Sequence, residues 1–238
     1  MRFLSLFIAA TVTLTSCTTQ TESLIREADF KSPIRVACIG DSITYGYGVN
    51  DRDHNSYPTQ LGVMLGPKWV VRNFGINGAT ALKRGTRPYT DQPSFRDALA
   101  FKPNVVVIQL GTNDTNAKSW PKHHEEFFSD YLELIHSFAA LETRPRIYLC
   151  RPVPLFRDRG KDYDTDKILV SEVIPKINQI ARRKRLPVVN LYAEFEDKSA
   201  LFPDGVHPNA EGARIMAQKI CTELTAFKAD HSAAVLEN

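Results

Sequence analysis

Five residues whose groups could perform acyl transfer are spread along the chain. They are Ser42, Gly78, Asn113, Asp204 and His207. A hydroxyl is a weak nucleophile until a base removes its proton, and an imidazole oriented by a carboxylate suits that task. The amide groups of a glycine and an asparagine could stabilise the developing negative charge. Together these groups predict catalysis through a serine nucleophile, provided that the fold brings them together.

Each group taken alone also has an ordinary structural interpretation. A serine after a strand often caps a helix, and glycines often mark turns. An aspartate three residues before a histidine could equally be a helix cap with a histidine nearby. The prediction therefore depends on the combination and on the elements that position it.

Five short apolar segments rich in β-branched residues predict β-strands. They are Ile34–Ile39, Trp69–Phe74, Asn104–Leu110, Arg146–Cys150 and Pro187–Leu191. Apolar runs without alternation are typical of a parallel sheet that is covered on both faces.

Helical patterns lie between these segments and after the last one. They are Ser56–Leu65, Ser94–Phe101, Pro121–Leu141, Asp166–Arg185 and Pro208–Phe227. Pro175 predicts a kink or a break in the fourth helix, whereas Pro208 lies near the first position of the last one. The alternation predicts an α/β fold, a single-domain doubly wound α/β/α sandwich with a five-stranded parallel sheet. Ligands bind such sheets at the carboxyl ends of the strands, where the polar residues are expected to meet.

Four short motifs resemble the conserved blocks of the SGNH hydrolases, also called GDSL esterases. They are Gly40-Asp41-Ser42, Gly78, Gly111-x-Asn113-Asp114 and Asp204-x-x-His207, in that order. The match spans Ile34 to about Leu224. The resemblance implies the flavodoxin-like SGNH fold and ester hydrolysis. The Gly-x-Ser-x-Gly motif of α/β-hydrolases is absent at Ser42.

The resemblance implies a role for each matching residue. Ser42 is expected to be the nucleophile, His207 its general base and Asp204 the carboxylate that orients His207. The oxyanion hole is expected to consist of the Ser42 N–H, the Gly78 N–H and the Asn113 side chain. Two further acidic residues of the motifs, Asp41 and Asp114, are interpreted as structural.

The N-terminal segment predicts export. Arg2 precedes the apolar run Phe3–Leu14, which is too short to span a bilayer and is typical of a secretory signal. Leu-Thr-Ser-Cys17 resembles the lipobox of bacterial lipoproteins, which implies cleavage after residue 16 and lipidation of Cys17. An ordinary signal peptide with an incidental cysteine is the alternative. We therefore expect a membrane-anchored protein on the periplasmic or cell-surface side, with a polar tether over 17–32, the hydrolase domain over 33–228 and a tail over 229–238.

The composition excludes several other classes of protein. The chain of 238 residues is 43% hydrophobic and 24% charged, which is unlike a disordered, collagen-like or coiled-coil sequence. Its 30 Lys and Arg against 27 Asp and Glu give a formal charge of +3, too low to indicate nucleic acid as a partner. The basic run Arg182–Arg185 is interpreted as a solvated helix end.

The sequence indicates no metal site and no organic cofactor. Three cysteines remain after Cys17, namely Cys38, Cys150 and Cys221, without the spacing of a zinc site. Each lies in an apolar pattern, so all three are predicted to be buried free thiols. No oligomeric state is predicted.

Polar loops around the expected site favour a carbohydrate ester. Arg84, Arg87 and Arg151 are candidate substrate-binding residues, and they could contact an acidic sugar. The prediction is a serine esterase that removes acetyl groups from carbohydrate outside the cytoplasm. The alternatives are a lysophospholipase or thioesterase acting on longer acyl chains and a non-catalytic lipoprotein that binds glycans.

Overall fold

The computed structural model describes residues 25–225, which form one α/β domain. Within that range no helix combines the length and the apolarity needed to cross a membrane. The predictions for the signal peptide, Cys17, the first part of the tether and the C-terminal tail lie outside the described residues.

Five parallel strands form the predicted sheet. They are β1 Ile34–Gly40, β2 Trp69–Gly75, β3 Val105–Gln109, β4 Arg146–Arg151 and β5 Val188–Asn190, in the order β2-β1-β3-β4-β5. The switch of direction beside β1 places a crevice at the carboxyl ends of β1 and β3. The five-stranded sandwich predicted from the sequence is confirmed.

Within residues 25–225, ten α-helices surround the sheet or begin at its carboxyl edge. They are α1 Ser42–Tyr45, α2 Arg52–Asn55, α3 Tyr57–Leu65, α4 Pro93–Ala100, α5 Trp120–His123, α6 Phe127–Ala139, α7 Thr165–Ile168, α8 Ile174–Lys184, α9 Leu191–Phe195 and α10 Ala210–Thr225. The sequence patterns missed α1, α2 and α9, because helices of four or five residues hold too few turns to show a periodicity.

Both faces of the sheet are buried, as continuous apolar strands require. Ile39 and Ile108 belong to the cluster that α4, α6 and α8 cover, whereas Cys38 and Val107 belong to the cluster that α3, α9 and α10 cover. Successive strand residues point to opposite faces, so each strand supplies side chains to two cores.

Three helix predictions need correction. The predicted helix Pro121–Leu141 is divided into α5 and α6, and the turn between them allows Trp120 and Phe127 to pack together at 5.5 Å between ring centroids. The predicted helix Asp166–Arg185 is divided into α7 and α8 by a π-helical turn over Leu169–Val173. Pro175 is the second residue of α8, so the interruption expected at this proline lies just before it.

The last helix begins at Ala210 and not at Pro208. The side chain of Asn209 accepts the N–H of Gly212 at 2.9 Å, which is the contact of a helix-capping residue. His207 therefore lies in the turn before the cap.

Candidate active site

Ser42 occupies the first position of α1, immediately after β1. The carboxylate of Asp41 accepts the N–H of Ile43 at 2.9 Å and so caps this short helix. Asp41 is fully buried, and burial raises the pKa of its carboxyl to about 7, despite the hydrogen bond from Ile43. Ser42 itself is 7% exposed, so its hydroxyl lies at the floor of the crevice.

Ser42, His207 and Asp204 form a continuous chain of hydrogen bonds. The Ser42 hydroxyl lies 2.8 Å from Nε2 of His207, and Nδ1 of His207 lies 2.6 Å from Oδ2 of Asp204. If Nδ1–H donates to the carboxylate, Nε2 is left as the acceptor for the serine proton. The geometry thus allows His207 to deprotonate Ser42.

The Asp204–His207 turn holds the carboxylate in its ionised form. Oδ1 of Asp204 accepts the backbone N–H groups of Val206 at 2.9 Å and His207 at 2.8 Å. Partial burial opposes ionisation of Asp204, but these hydrogen bonds and the His207 ring lower its pKa to about 2. Asp204 is therefore an anion throughout the neutral range and can stabilise an imidazolium.

Gly205 ties this turn to the neighbouring loop. Its carbonyl accepts the N–H groups of Phe156 at 2.8 Å and Arg157 at 3.1 Å. Gly205 has φ +75°, and a Cβ at this position would lie 2.8 Å from the backbone nitrogen of Arg157. A glycine is therefore required both for the conformation and for the close approach.

The sheet register brings Gly78 and Asn113 to the same edge as Ser42. Gly40 of β1 pairs with Gly75 of β2 and with Gln109 of β3, so the loops that follow these three strands start side by side. Asn113 donates its side-chain amide to the carbonyl of Ala79 at 3.1 Å, next to Gly78.

Three hydrogen-bond donors remain available at this edge. Among residues 25–225, the Ser42 and Gly78 N–H groups have no acceptor, and the second side-chain N–H of Asn113 is also unused. Gly78 has φ +74°, a backbone conformation that residues with a side chain rarely adopt. These groups could stabilise an oxyanion.

Asp114 anchors the loop that contains Gly78. Its two carboxylate oxygens accept the N–H groups of Ala81 at 3.0 Å and Leu82 at 2.8 Å. Complete burial raises the pKa of Asp114 to about 6, although these two hydrogen bonds oppose the rise. Its position is that of a structural residue, as the sequence interpretation has it.

Tyr47 contacts the site and was not singled out from the sequence. Its ring lies 4.6 Å from that of His207 between centroids, and 51% of the residue is exposed. The glycines on both sides of Tyr47 were the available signal, because they allow α1 to end sharply and the ring to turn toward the site.

A cavity of about 530 Å³ extends from Asn113 and Val206. Charged and polar side chains form much of its wall, namely Asn116, Arg157, Asp158, Lys161, Asp162 and Tyr163. Lys161 lies 2.9 Å and Arg157 3.8 Å from Asp158, so cations and carboxylates largely compensate each other. Such a wall suits a ligand with hydroxyl groups better than an alkyl chain.

The three candidate arginines lie in different surroundings. Arg87 donates to the carbonyl of Asn77 at 2.9 Å, beside Gly78. Arg84 pairs with Glu126 at 3.1 Å, and Arg151 donates to the side chain of Asn178 at 3.0 Å. In the described part of the chain, Arg84 and Arg151 make no hydrogen bond or ion pair with Ser42, His207 or Asp204, whereas Arg87 contacts the loop that contains Gly78.

The cysteines take no part in this site. Cys38 and Cys150 are buried, and burial raises the pKa of Cys38 to about 12. Cys221 is only half-buried, so the prediction of complete burial was wrong for this thiol. Residues 25–225 contain no group of three or more His, Cys, Asp or Glu side chains that could hold a metal ion.

Comparison with known proteins identifies relatives of the chain. The model of the GDSL-like lipase/acylhydrolase family matches residues 38–215. An acetylxylan esterase from Xylanibacter ruminicola is 37% identical over 209 residues, which is 80% of this chain. The chain spans only 43% of the length of that relative.

Two solved structures share the fold at low sequence identity. Est24, a carbohydrate acetylesterase from Sinorhizobium meliloti, is 18% identical with a TM-score of 0.63, over 82% of this chain and 99% of that one. CEX, a two-domain esterase active on acetylated mannans and co-crystallised with mannopentaose, is 22% identical with a TM-score of 0.61, over 81% of this chain and 49% of that one.

Proposed function

The chain belongs to the GDSL-like lipase/acylhydrolase family, and from this premise we propose that it is a serine esterase that removes acetyl groups from carbohydrate. The observation that carries the proposal is the hydrogen-bond chain from Ser42 through His207 to Asp204. The acetylxylan esterase relative supports the choice of an acetylated carbohydrate, because it is 37% identical over 80% of this chain.

Ser42 forms an acyl-enzyme in the first half of the reaction. Its oxygen attacks the ester carbonyl while His207 takes the hydroxyl proton. The tetrahedral oxyanion accepts hydrogen bonds from the Ser42 and Gly78 N–H groups and from Asn113. The intermediate then collapses, and His207 gives its proton to the departing sugar oxygen.

Water completes the reaction in the second half. His207 takes a proton from water as the water attacks the acyl carbon, and the resulting oxyanion occupies the same site. Collapse breaks the bond to Ser42, whose oxygen recovers the proton from His207 and releases acetate. Asp204 remains an anion throughout and stabilises the imidazolium that forms twice in each cycle.

The cavity beside Asn113 supports a sugar as the alcohol part of the substrate. Its wall of compensated charges offers donors and acceptors to hydroxyl groups, and the hydroxyl of Tyr163 donates to the carbonyl of Thr115 at 2.9 Å, which fixes the ring. A long acyl chain would desolvate these charges without replacing their hydrogen bonds. Of the three candidate arginines, Arg87 lies beside Gly78 and is the one suited to contact an acidic substituent of the sugar.

We also propose that the protein acts outside the cytoplasm, anchored by lipid on Cys17. The apolar run Phe3–Leu14 and the Leu-Thr-Ser-Cys17 sequence support this proposal. Intact-mass analysis of the native protein would detect the lipid. A mature form that starts elsewhere and carries no lipid would contradict it.

Rates on para-nitrophenyl esters of increasing acyl length test the proposed activity. We expect a steep preference for acetate, followed by release of acetate from acetylated xylo-oligosaccharides. Ser42→Ala should abolish both, whereas Ser129→Ala, a matched change at an exposed serine of α6, should abolish neither. A preference for long acyl chains would instead indicate a lysophospholipase or thioesterase, and glycan binding without turnover would indicate a non-catalytic protein.

A further inference from the structure

The edge of the sheet opposite Ser42 is strongly basic. The segments that lead into the five strands are 31–35, 66–68, 101–104, 140–146 and 182–187, and they hold ten lysines and arginines against one carboxylate, Glu142. The segments that follow the strands, 41–56, 76–93, 110–122, 152–166 and 191–209, hold ten cations against thirteen carboxylates. The formal charge of +3 is therefore unevenly distributed.

These basic segments adjoin one another in the structure. The N–H of Ile34 donates to the carbonyl of Lys68 at 2.8 Å, and the guanidinium of Arg35 donates to the carbonyl of Lys102 at 2.7 Å. The N–H of Arg146 donates to the carbonyl of Asn104 at 3.0 Å. The N–H of Leu149 in β4 donates to the carbonyl of Pro187 at 3.1 Å, which places the segment 182–187 beside β4 as well. We call the surface of these five segments the basic edge.

Most cations of the basic edge are exposed and lack an ionic partner within the described range. The seven exposed ones are Lys31, Lys102, Arg144, Arg182, Arg183, Lys184 and Arg185, and none of them forms an ion pair with a carboxylate of residues 25–225. Cations that follow the strands are more often paired, as in Arg52–Asp53, Arg84–Glu126 and Arg159–Asp166.

Helix dipoles account for only part of this pattern. Four helices, α3, α4, α6 and α8, end at the basic edge, and cations near helix C-termini are favourable. The dipole effect is confined to the last turn, however, and Lys31 precedes a strand. Four consecutive cations at the end of α8 also repel one another, which is a cost unless a polyanion neutralises them.

We propose that the basic edge docks on an anionic lipid surface. The cations extend across five strands, about 20 Å at the spacing of neighbouring strands, which fits an extended layer of phosphate headgroups better than a small ion. β1 begins at this edge, and Cys17, the residue proposed to carry the lipid, lies 17 positions before Ile34. Arg182–Arg185 is an exposed helix end, as interpreted from the sequence, and the proposal includes it in the docking surface.

This orientation leaves the crevice accessible. Ser42 follows the carboxyl end of β1, so it lies at the edge that points away from the docked surface. An anchored enzyme would then present its site to polymers outside the membrane. The docking itself does not depend on the proposed activity.

Cosedimentation of the full chain with lipid vesicles tests the proposal. Vesicles of phosphatidylcholine alone are compared with vesicles that also contain phosphatidylglycerol, so that any contribution of the apolar N-terminus is common to both. We expect stronger partitioning onto the anionic vesicles, weakened by added salt. Equal partitioning onto both kinds of vesicle would overturn the proposal.

Charge-matched variants locate the surface. Replacing Lys31, Lys102, Arg182 and Lys184 by Gln should lower the partition coefficient on anionic vesicles more than tenfold, since each cation near such a surface contributes about fivefold. Replacing Lys118, Lys122, Lys167 and Arg214 by Gln changes the net charge equally and should have less than a threefold effect. An equal loss in both variants, or preferential binding of a soluble acidic polysaccharide over the vesicles, would overturn the assignment.

Discussion

The two edges of one sheet carry opposite kinds of polar chemistry. At the carboxyl edge, Asp204 accepts three hydrogen bonds and Asp114 two, and each group is held by named neighbours. At the basic edge, seven exposed cations have no carboxylate partner in the described range. The first arrangement fixes polar atoms in place, whereas the second leaves cations without carboxylate partners among residues 25–225.

The difference follows from what each task requires. Catalysis needs donors and acceptors fixed before the substrate arrives, because reorganisation during the reaction raises the barrier. Attraction to a charged surface needs only net charge at the right distance. Matched substitutions, one at each edge, can therefore distinguish the effect of fixed hydrogen-bonding groups from the effect of net charge.

The largest difference in kcat is expected between substitutions of two carboxylates, Asp204 and Glu142. Asp204→Asn should lower kcat about 10⁴-fold, because the amide no longer holds the tautomer that leaves Nε2 as an acceptor. Glu142→Gln, the same chemical change at the basic edge, should leave kcat within twofold. Steady-state kinetics on para-nitrophenyl acetate measures both, and similar rates for the two variants would refute the role of Asp204.

A smaller contrast is expected between two asparagines. Asn113→Ala should lower kcat about 10²- to 10³-fold by removing a donor to the oxyanion. Asn104→Ala removes the acceptor of the Arg35 N–H at 2.9 Å, so it should lower stability by about 1 kcal/mol without changing kcat. The test is kcat beside the unfolding free energy in denaturant. A change in KM alone for Asn113→Ala would place that residue in substrate binding.

Substitutions at two glycines with positive φ can distinguish an effect on stability from an effect on kcat. Gly205→Ala and Gly66→Ala should each lower stability by about 1–3 kcal/mol, since φ is +75° at Gly205 and +86° at Gly66. A Cβ on Gly66 meets no atom within 4 Å, whereas one on Gly205 meets Arg157. Only Gly205→Ala should also lower kcat, by about tenfold, because it displaces Asp204 and His207. Equal kcat in the two folded variants would argue against this coupling.

The smallest effect concerns the buried acid beneath Ser42. The folded state holds the Asp41 proton up to about pH 7, whereas the unfolded chain releases it near pH 4. Asp41 therefore lowers the stability of the protein as pH rises from about 4 to about 7, by about 1–3 kcal/mol. Asp41→Asn should remove this contribution and leave the smaller one of Asp114, whose pKa is about 6, as measured by denaturant unfolding across that range. An unchanged slope would indicate that Asp41 is already ionised in the folded protein.

The strands could be predicted from the sequence with little error, as could the meeting of Ser42, His207 and Asp204. β1 and β2 begin at the predicted residues, because continuous β-branched runs bounded by glycine have few alternatives in a buried parallel sheet. The residues expected to form the triad are those that the structure places within hydrogen-bond distance. The motif spacing therefore predicted correctly that these residues lie close together. Their roles are addressed by the kinetic tests above.

Contacts between distant segments could not be predicted in this way. The division of α5 from α6 depends on the packing of Trp120 against Phe127, and Tyr47 reaches His207 across 160 positions of the chain. Arg151 is the last residue of β4, one position beyond the predicted end of this strand, and its guanidinium donates to the side chain of Asn178 of α8. A local pattern contains no information about which neighbour a long side chain will find.

The sequence by itself determined the strands and the residue types that precede and follow each of them, because hydrophobic patterning acts through short segments. Only the tertiary structure decided which polar groups are paired. It joined Gly205 to the loop of Arg157, enclosed the cavity beside Asn113 and gathered five basic segments into one edge. Pairing depends on distances between segments far apart in the chain, and packing alone sets those distances.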